Sequence, residues 1–393
     1  MPEQAIKEKT AIAGIGWTEF SRHSESTVQD LALRASINAI NDAGIVPQEI
    51  DGIVSHFHRH LDTVSPNEMV HALGLTKCNF EVFNSTGGSW NVSATMTAAS
   101  LVFAGICKTV LVYRAMNRYS EGRARRVRRA DDVEGSDQFR TPFGNHHAAA
   151  TFGMRATAHM EKFGTSSLDF AHLAVTERSH AMLNKKAMMR KPMTMDDHQN
   201  SRWIIYPFKL LDCCQESDGA VAYIVTSAER ARDCKHPPVY IMSGVGGLGP
   251  TEGLWETNAA NAAPLLYEGA GITPKDVSVA EIYDPFTFMC MTHIEDYGFC
   301  KKGEVGGWIR DGHNKLDGDI PINTHGGLLS EAHIHGQNHV IEAVQQLRPE
   351  GVVDDLCEGP HTYDRSLCRQ VRNPEIALVC GEGGGSSLLL RRG

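Results

Sequence analysis

The chain has 393 residues, 41% hydrophobic and 22% charged, with 37 glycines, a mixture that fits a compact α/β enzyme and excludes a disordered or fibrous protein. A formal net charge of -9 gives no basic balance for holding nucleic-acid phosphates. The N-terminus, MPEQAIKEKTAIAGIGW, has no apolar run of signal-peptide type, and no segment reaches the ~18 uninterrupted apolar residues of a membrane span, so a cytoplasmic protein outside the membrane is expected.

The first apolar run, Ala11 to Ile15, reads as a buried strand. Ser26 or Thr27 caps a helix with Val28, Leu31, Ala32, Ala35 and Ile40 at helical spacing, and Gly44 stops it. Strands are predicted over 51–56 and 80–83. The Gly87-Gly88 pair opens an apolar helix from Ser89 to Phe103, and KTVLVY (108–113) is a strong buried strand. From 117 to about 147 the chain is polar, arginine-rich and without period, which reads as a surface excursion. Helices are predicted over 148–162 and 167–183, followed by strand character within 212–226.

A second series begins near Pro238: strand PVYIMSGV, helix 258–270, strand 277–283, helix 285–297, a turn at Gly326-Gly327, a helix over 331–346, and strands 376–380 and 386–390. Strands alternating with helices imply parallel pairing in a layered α/β fold. FNSTGG (83–88) and INTHGG (322–327) look alike, which suggests a duplication with halves over 1–235 and 236–393. The ten cysteines include no C-x-x-C and an adjacent pair, Cys213-Cys214. They read as small hydrophobic thiols in a reducing compartment, not as a zinc framework.

Five segments in this order resemble the thiolase superfamily, in its sterol-carrier and lipid-transfer-protein-like branch: AIAGIGWTEFSR, FNSTGGSW, DCCQESDGAVAYIVTSAERA, EIYDPFT, and INTHGGLLSEAHIHG with the terminal CGEGGGSSLLL. The resemblance covers the whole chain and implies a five-layer αβαβα fold of two similar halves, assembled as a homodimer. The turn that carries the acyl-accepting cysteine in thiolases is here Asn84-Ser85-Thr86-Gly87-Gly88-Ser89, without a cysteine. The resemblance leaves Gly87 and Gly88 as backbone donors for a thioester oxygen. Ser85, Thr86 and Ser89 would each need a base to act as a nucleophile.

Tyr283 matches the water-binding asparagine or histidine position of thiolases, where the lipid-transfer-like aldolases carry tyrosine. A tyrosine packed at a strand end is the structural alternative. His333 falls on the thiolase histidine, where the aldolases tend to have tyrosine. His335, two residues on, points elsewhere if that segment is helical. Cys380 stands one residue further from the triple glycine than the second thiolase cysteine does, and is either a base or a buried strand residue. A metal reading of His333, His335 and His339 lacks the carboxylate or cysteine set to complete it, so no metal is expected. Arg123, Arg125 and Arg126, with Arg128 and Arg129, form either a solvated face or a site for coenzyme A phosphates.

Without the cysteine, the surviving parts suit retro-aldol cleavage of a β-hydroxyacyl-CoA bearing a bulky, steroid-like side chain. Tyr283 and His333 would be acid and base in either order. Coenzyme A enters as part of the substrate, with no covalently bound cofactor. The resemblance also implies a separate small partner of OB-fold type carrying a zinc ribbon. The alternatives are a CoA-dependent acyltransferase with a displaced nucleophile and a non-catalytic acyl-CoA or lipid-binding protein.

Overall fold

The computed structural model describes residues 4–57, 64–85, 91–120, 133–247, 249, 251–349, 356–359 and 362–393. The first half runs β1 (Thr10–Trp17), α1 (Val28–Ala43), β2 (Gly52–Phe57), α2 (Pro66–Leu73), β3 (Phe80–Ser85), α3 (Ser93–Phe103), β4 (Thr109–Asn117), α4 (Ala148–Phe163) and α5 (Ser167–Met182). It continues through α6 (Met195–Gln199), a hairpin of β5 (Trp203–Ile205) and β6 (Phe208–Lys209), then β7 (Asp218–Ser227) and α7 (Ala228–Ala231). The second half is β8 (Val239–Gly246), α8 (Ala259–Ala270), β9 (Val279–Glu281), α9 (Thr287–Asp296), α10 (Val305–Arg310), α11 (Gly327–Ser330), α12 (Gln337–Leu347), β10 (Ile376–Cys380) and β11 (Ser386–Arg392).

Nine strands form one sheet in the order β3-β2-β4-β7-β1-β8-β11-β10-β9. Outward from β1, the pairings are antiparallel to β7, antiparallel to β4, then parallel to β2 and β3. Outward from β8 they repeat: antiparallel to β11, antiparallel to β10, parallel to β9, then a parallel bridge from Ala280 to Ile322. Antiparallel contact of β1 with β8 joins the two sets. The bridge places Ile322, the first residue of INTHGG, beside β9 as β3, which ends in Phe83-Asn84-Ser85, lies beside β2.

Helices α3 and α12 pack in the middle. Val92, Ala98 and Val102 share one core with Val340, Ile341 and Val344, and with Val54 and Val112 of one strand set and Val279 and Val379 of the other. Helix α1 covers the outer face of the first set and α8 that of the second. Each fully buried Val, Ile or Leu here contributes roughly 1.5–3 kcal/mol. Thr27 caps α1, its hydroxyl accepting from Asp30 N–H at 3.1 Å, and Gly44 ends the helix at φ 71°.

The 331–346 segment departs from its expected form. Residues 331–336 leave the helix, because His335 and Gly336 adopt φ 50° and 73°, and helix resumes only at Gln337. Strand β7 begins at Asp218, and β9 is only three residues long. Cys357 and Cys368, expected as thiols, pair across an antiparallel bridge and form a disulfide. Among the described residues no helix is long and apolar enough to cross a membrane.

Candidate active site

Two loops at the end of the central layer build the site. The first follows β9 and carries Tyr283 and Asp284. Asp284 is fully buried and accepts the N–H groups of Leu328 and Leu329, at 2.9 and 3.1 Å, at the start of α11. Asn323 makes a second tie. It accepts from Ile282 N–H at 2.7 Å and donates to Ile282 C=O at 3.0 Å and Glu177 Oε1 at 2.8 Å. These bonds hold the EIYDPFT loop against the INTHGG loop.

The turn at 331–336 then brings His333 to Tyr283, the phenol oxygen lying 3.0 Å from Nε2. Backbone N–H of His333 donates to Ser217 Oγ at 3.0 Å. The non-helical turn also corrects the expected aim of His335: its ring centre lies 5.0 Å from that of His333, so both histidines face one region. Two arginines of the β4 segment back them. Arg118 Nη1 meets His333 Nδ1, and Arg114 Nη2 meets His335 Nδ1 at 2.9 Å.

Arginine offers donors only. Nδ1 of each ring is therefore the acceptor, and each neutral imidazole carries its proton on Nε2. Burial, reinforced by Arg118 and Arg114, holds both histidines well below the ordinary histidine range, so both are neutral at pH 7. His333 consequently donates Nε2–H to the Tyr283 oxygen, and the Tyr283 hydroxyl proton is directed away from it. Burial, with the charge of Glu382 and the Cys214 sulfur, raises Tyr283 well above its usual pKa of 10, so it stays protonated.

The Glu382 charge acts on Tyr283 and Arg118. Burial lifts its carboxyl above the ordinary 4.5, while the Arg118 charge opposes the rise. Cys214 Sγ lies 3.7 Å from His333 Nδ1, but burial pushes the thiol up to about 12. Asn91 is fully buried beside Gly336 and Tyr283, and its Nδ2 has no hydrogen-bond acceptor among the described residues. Gly336 permits this contact: a Cβ there would sit 2.3 Å from Asn91 Nδ2 and 2.6 Å from the Tyr283 ring. Gly336→Ala is expected to cost about 1–3 kcal/mol in stability and, by moving Tyr283, at least tenfold in kcat. Thermal melting and steady-state kinetics on the same preparation check both effects.

The structure thus brings together Tyr283, His333 and His335. Cys380, at the end of β10, lies behind the Tyr283 loop: its sulfur meets the Tyr283 backbone, His293 at 4.0 Å and Tyr297, and burial raises the thiol to about 12. Gly87, Gly88, Arg123, Arg125 and Arg126 lie outside the described residues. Sequence reasoning missed Arg114, Arg118, Glu382, Cys214 and Asn91. One local signal was available, an arginine (Arg114) inside the otherwise apolar run of β4.

A mirrored α/β fold with a tyrosine–histidine pair between its two loops, and no cysteine in the turn after β3, defines a thiolase-type scaffold stripped of its acyl-accepting residue. Residues 249–388 match the family described as thiolase C-terminal domain-like. The chain is 39% identical to a 17-hydroxy-3-oxo-4-pregnene-20-carboxyl-CoA lyase of Mycobacterium tuberculosis, over 88% of this chain and 93% of that one. It is 38% identical to a steroid side-chain-cleaving aldolase of Thermomonospora curvata, over 87% and 91%. The solved Ltp2-ChsH2(DUF35) aldolase superposes with a TM-score of 0.88 at 36% identity, covering 99% of each chain. This chain belongs to the thiolase superfamily, in its lipid-transfer-protein-like aldolase branch.

Proposed function

We propose that this chain is an acyl-CoA retro-aldolase that cleaves a β-hydroxyacyl-CoA with a bulky, steroid-like side chain. The observation that carries the reading is the Tyr283–His333 contact at 3.0 Å in a site whose nucleophile turn has no cysteine. Glu382 takes the proton of the β-hydroxyl, and the Cα–Cβ bond breaks. Its electron pair forms the thioester enolate, while the β-carbon leaves as a ketone or aldehyde. Tyr283 delivers its proton to Cα and recovers one from Glu382, so the protons balance. His333 Nε2–H steadies the transient phenolate. Asn91 Nδ2, with backbone N–H groups at Gly87 and Gly88, is assigned to the enolate oxygen. Of the two orders that the sequence leaves open for the pair, Tyr283 as acid fits the arginine-fixed tautomer, with the base role passing to Glu382.

Arg123, Arg125 and Arg126 are assigned to the CoA phosphates, and no covalent cofactor takes part. His335 is assigned to positioning. Cys380 is assigned to packing behind the loop, since its thiol contacts His293 and Tyr297. The likeness to an aldolase solved as Ltp2-ChsH2(DUF35) supports a separate partner protein, to which we assign the OB-fold and zinc ribbon. We further assign a cytoplasmic homodimer with halves over 1–235 and 236–393.

One observation favours the CoA-dependent acyltransferase: Cys214 stands beside His333. A thiol at about 12, next to a ring nitrogen already engaged by Arg118, is a poor nucleophile. The test is incubation of the chain and its co-purifying partner with β-hydroxyacyl-CoAs in the absence of free CoA. A shorter acyl-CoA with a ketone or aldehyde supports the aldolase. Turnover of β-ketoacyl-CoAs alone, and only with CoA added, rejects it.

The pH profile has a definite sign. Protonating Glu382 removes the base, so kcat/KM falls on the acid side at a pKa above 4.5. Neutral His333 and protonated Tyr283 are unchanged across neutrality, since their shifts run below 6.5 and above 10. The expected profile is one acid limb and a plateau to the alkaline side, with Glu382→Gln low and free of that limb. A limb that persists in Glu382→Gln assigns the base elsewhere.

A further inference from the structure

Behind Tyr283, on the core side of the same loop, lies a second cluster that the aldol chemistry does not use. Glu281 ends β9, His325 lies in the INTHGG loop, and His339 is in the first turn of α12. All three are fully buried. The two ring centres are 4.9 Å apart at 88°, and His325 Nδ1 stands 2.9 Å from Glu281 Oε2. Among the described residues neither ring nitrogen of His339 has a hydrogen-bond partner, although its Nε2 lies 3.4 Å from Asp284 Oδ1, while His325 pairs with Glu281 and lies 3.6 Å from Glu331. Buried polar atoms are nearly always paired, so a fully buried ring with neither nitrogen bonded calls for a partner.

We propose that Glu281, His325 and His339 bind a divalent transition-metal ion of the zinc class. One ligand atom from each lies within 4.8 Å of the others. Bonds of ~2.0–2.2 Å to nitrogen and oxygen place tetrahedral ligand atoms roughly 3.3 Å apart, so small side-chain rotations close the site. Two histidines with one carboxylate form a donor set suited to such ions. The supporting groups are in place: the Thr324 hydroxyl donates to Glu281 Oε1 at 2.8 Å, and Asp284 Oδ1 lies 3.4 Å from His339 Nε2.

Charge points the same way. Four carboxylates, Glu281, Asp284, Glu331 and Glu342, surround the histidines, answered by the two cations Lys186 and Arg369. The ion would tie β9, the INTHGG loop and α12 together beneath Tyr283. Its role is structural, and the proposal stands independently of the aldolase reading.

The test uses the full chain, expressed without its partner or a histidine tag and grown with zinc. Elemental mass spectrometry is expected to give about one zinc per chain. Chelator is expected to lower the melting temperature, and added zinc to restore it. Chelated protein should take up cobalt with the visible spectrum of imidazole ligation. His339→Gln should weaken cobalt binding by at least about tenfold, whereas His333→Gln, at the neighbouring site, should keep it. If His339→Gln does not fold, the wild-type measurements decide alone. A chain without stoichiometric metal, and with a melting temperature indifferent to zinc and chelator, overturns the proposal. The occupant is then a proton on His325, or water.

Discussion

Tyr283→Phe is expected to lower kcat for retro-aldol cleavage by about 10²–10⁴-fold, with the fold unchanged. The substitution removes a single oxygen. That oxygen accepts the His333 Nε2 proton, and its own proton is the one assigned to the enolate carbon. The ring that packs against Gly336 remains, so substrate binding should change little and the loss should fall on kcat, not KM. A merely structural tyrosine would instead lower the melting temperature and leave kcat within a few-fold. Kinetics and melting curves on the same preparation separate the two cases.

The largest stability effect is expected at Arg369. Its guanidinium donates to both carboxylate oxygens of Glu342, at 3.1 and 3.0 Å, and both side chains are buried. Arg369 also holds the Glu342 carboxyl well below the usual carboxylate range. Arg369→Met leaves that charge buried without its principal partner, which costs roughly 3–5 kcal/mol. The double change Arg369→Met, Glu342→Gln should recover much of this, because the uncompensated charge is gone. Denaturant unfolding of the two variants measures the difference. Equal losses in both would show that Arg369 acts through packing and not through charge.

Local pattern carried most of the fold. Helix α1, with its cap and glycine stop, and the apolar strands β4, β8 and β10 are read from short-range periodicity. The resemblance between FNSTGG and INTHGG anticipates the matching strand order, since Phe83–Ser85 and Ile322 each lie beside a parallel strand. Tyr283 and His333 were legible only through family motifs, being fifty positions apart. The turn at 331–336 misled because alanine and glutamate there look helical, while two positive-φ residues break the helix. Arg118, Glu382 and Cys214 come from three other places in the chain and meet only through the sheet. His339 was weighed as a ligand with the wrong partners, His333 and His335, and Glu281 and His325 were invisible, since no ligand spacing links a strand end, a loop and a helix.

The measurement closest to the central claim is the fate of the thioester's own CoA. A β-hydroxyacyl-CoA made with isotopically heavy CoA is incubated with the chain and its partner in excess light CoA, and the products are weighed. Retro-aldol cleavage leaves the thioester intact, so every shortened acyl-CoA is expected to be heavy, with one ketone or aldehyde released per turnover. Light CoA appearing in an acyl product would mean that acyl transfer occurs, and the account of Tyr283 and Glu382 as the working pair would be wrong.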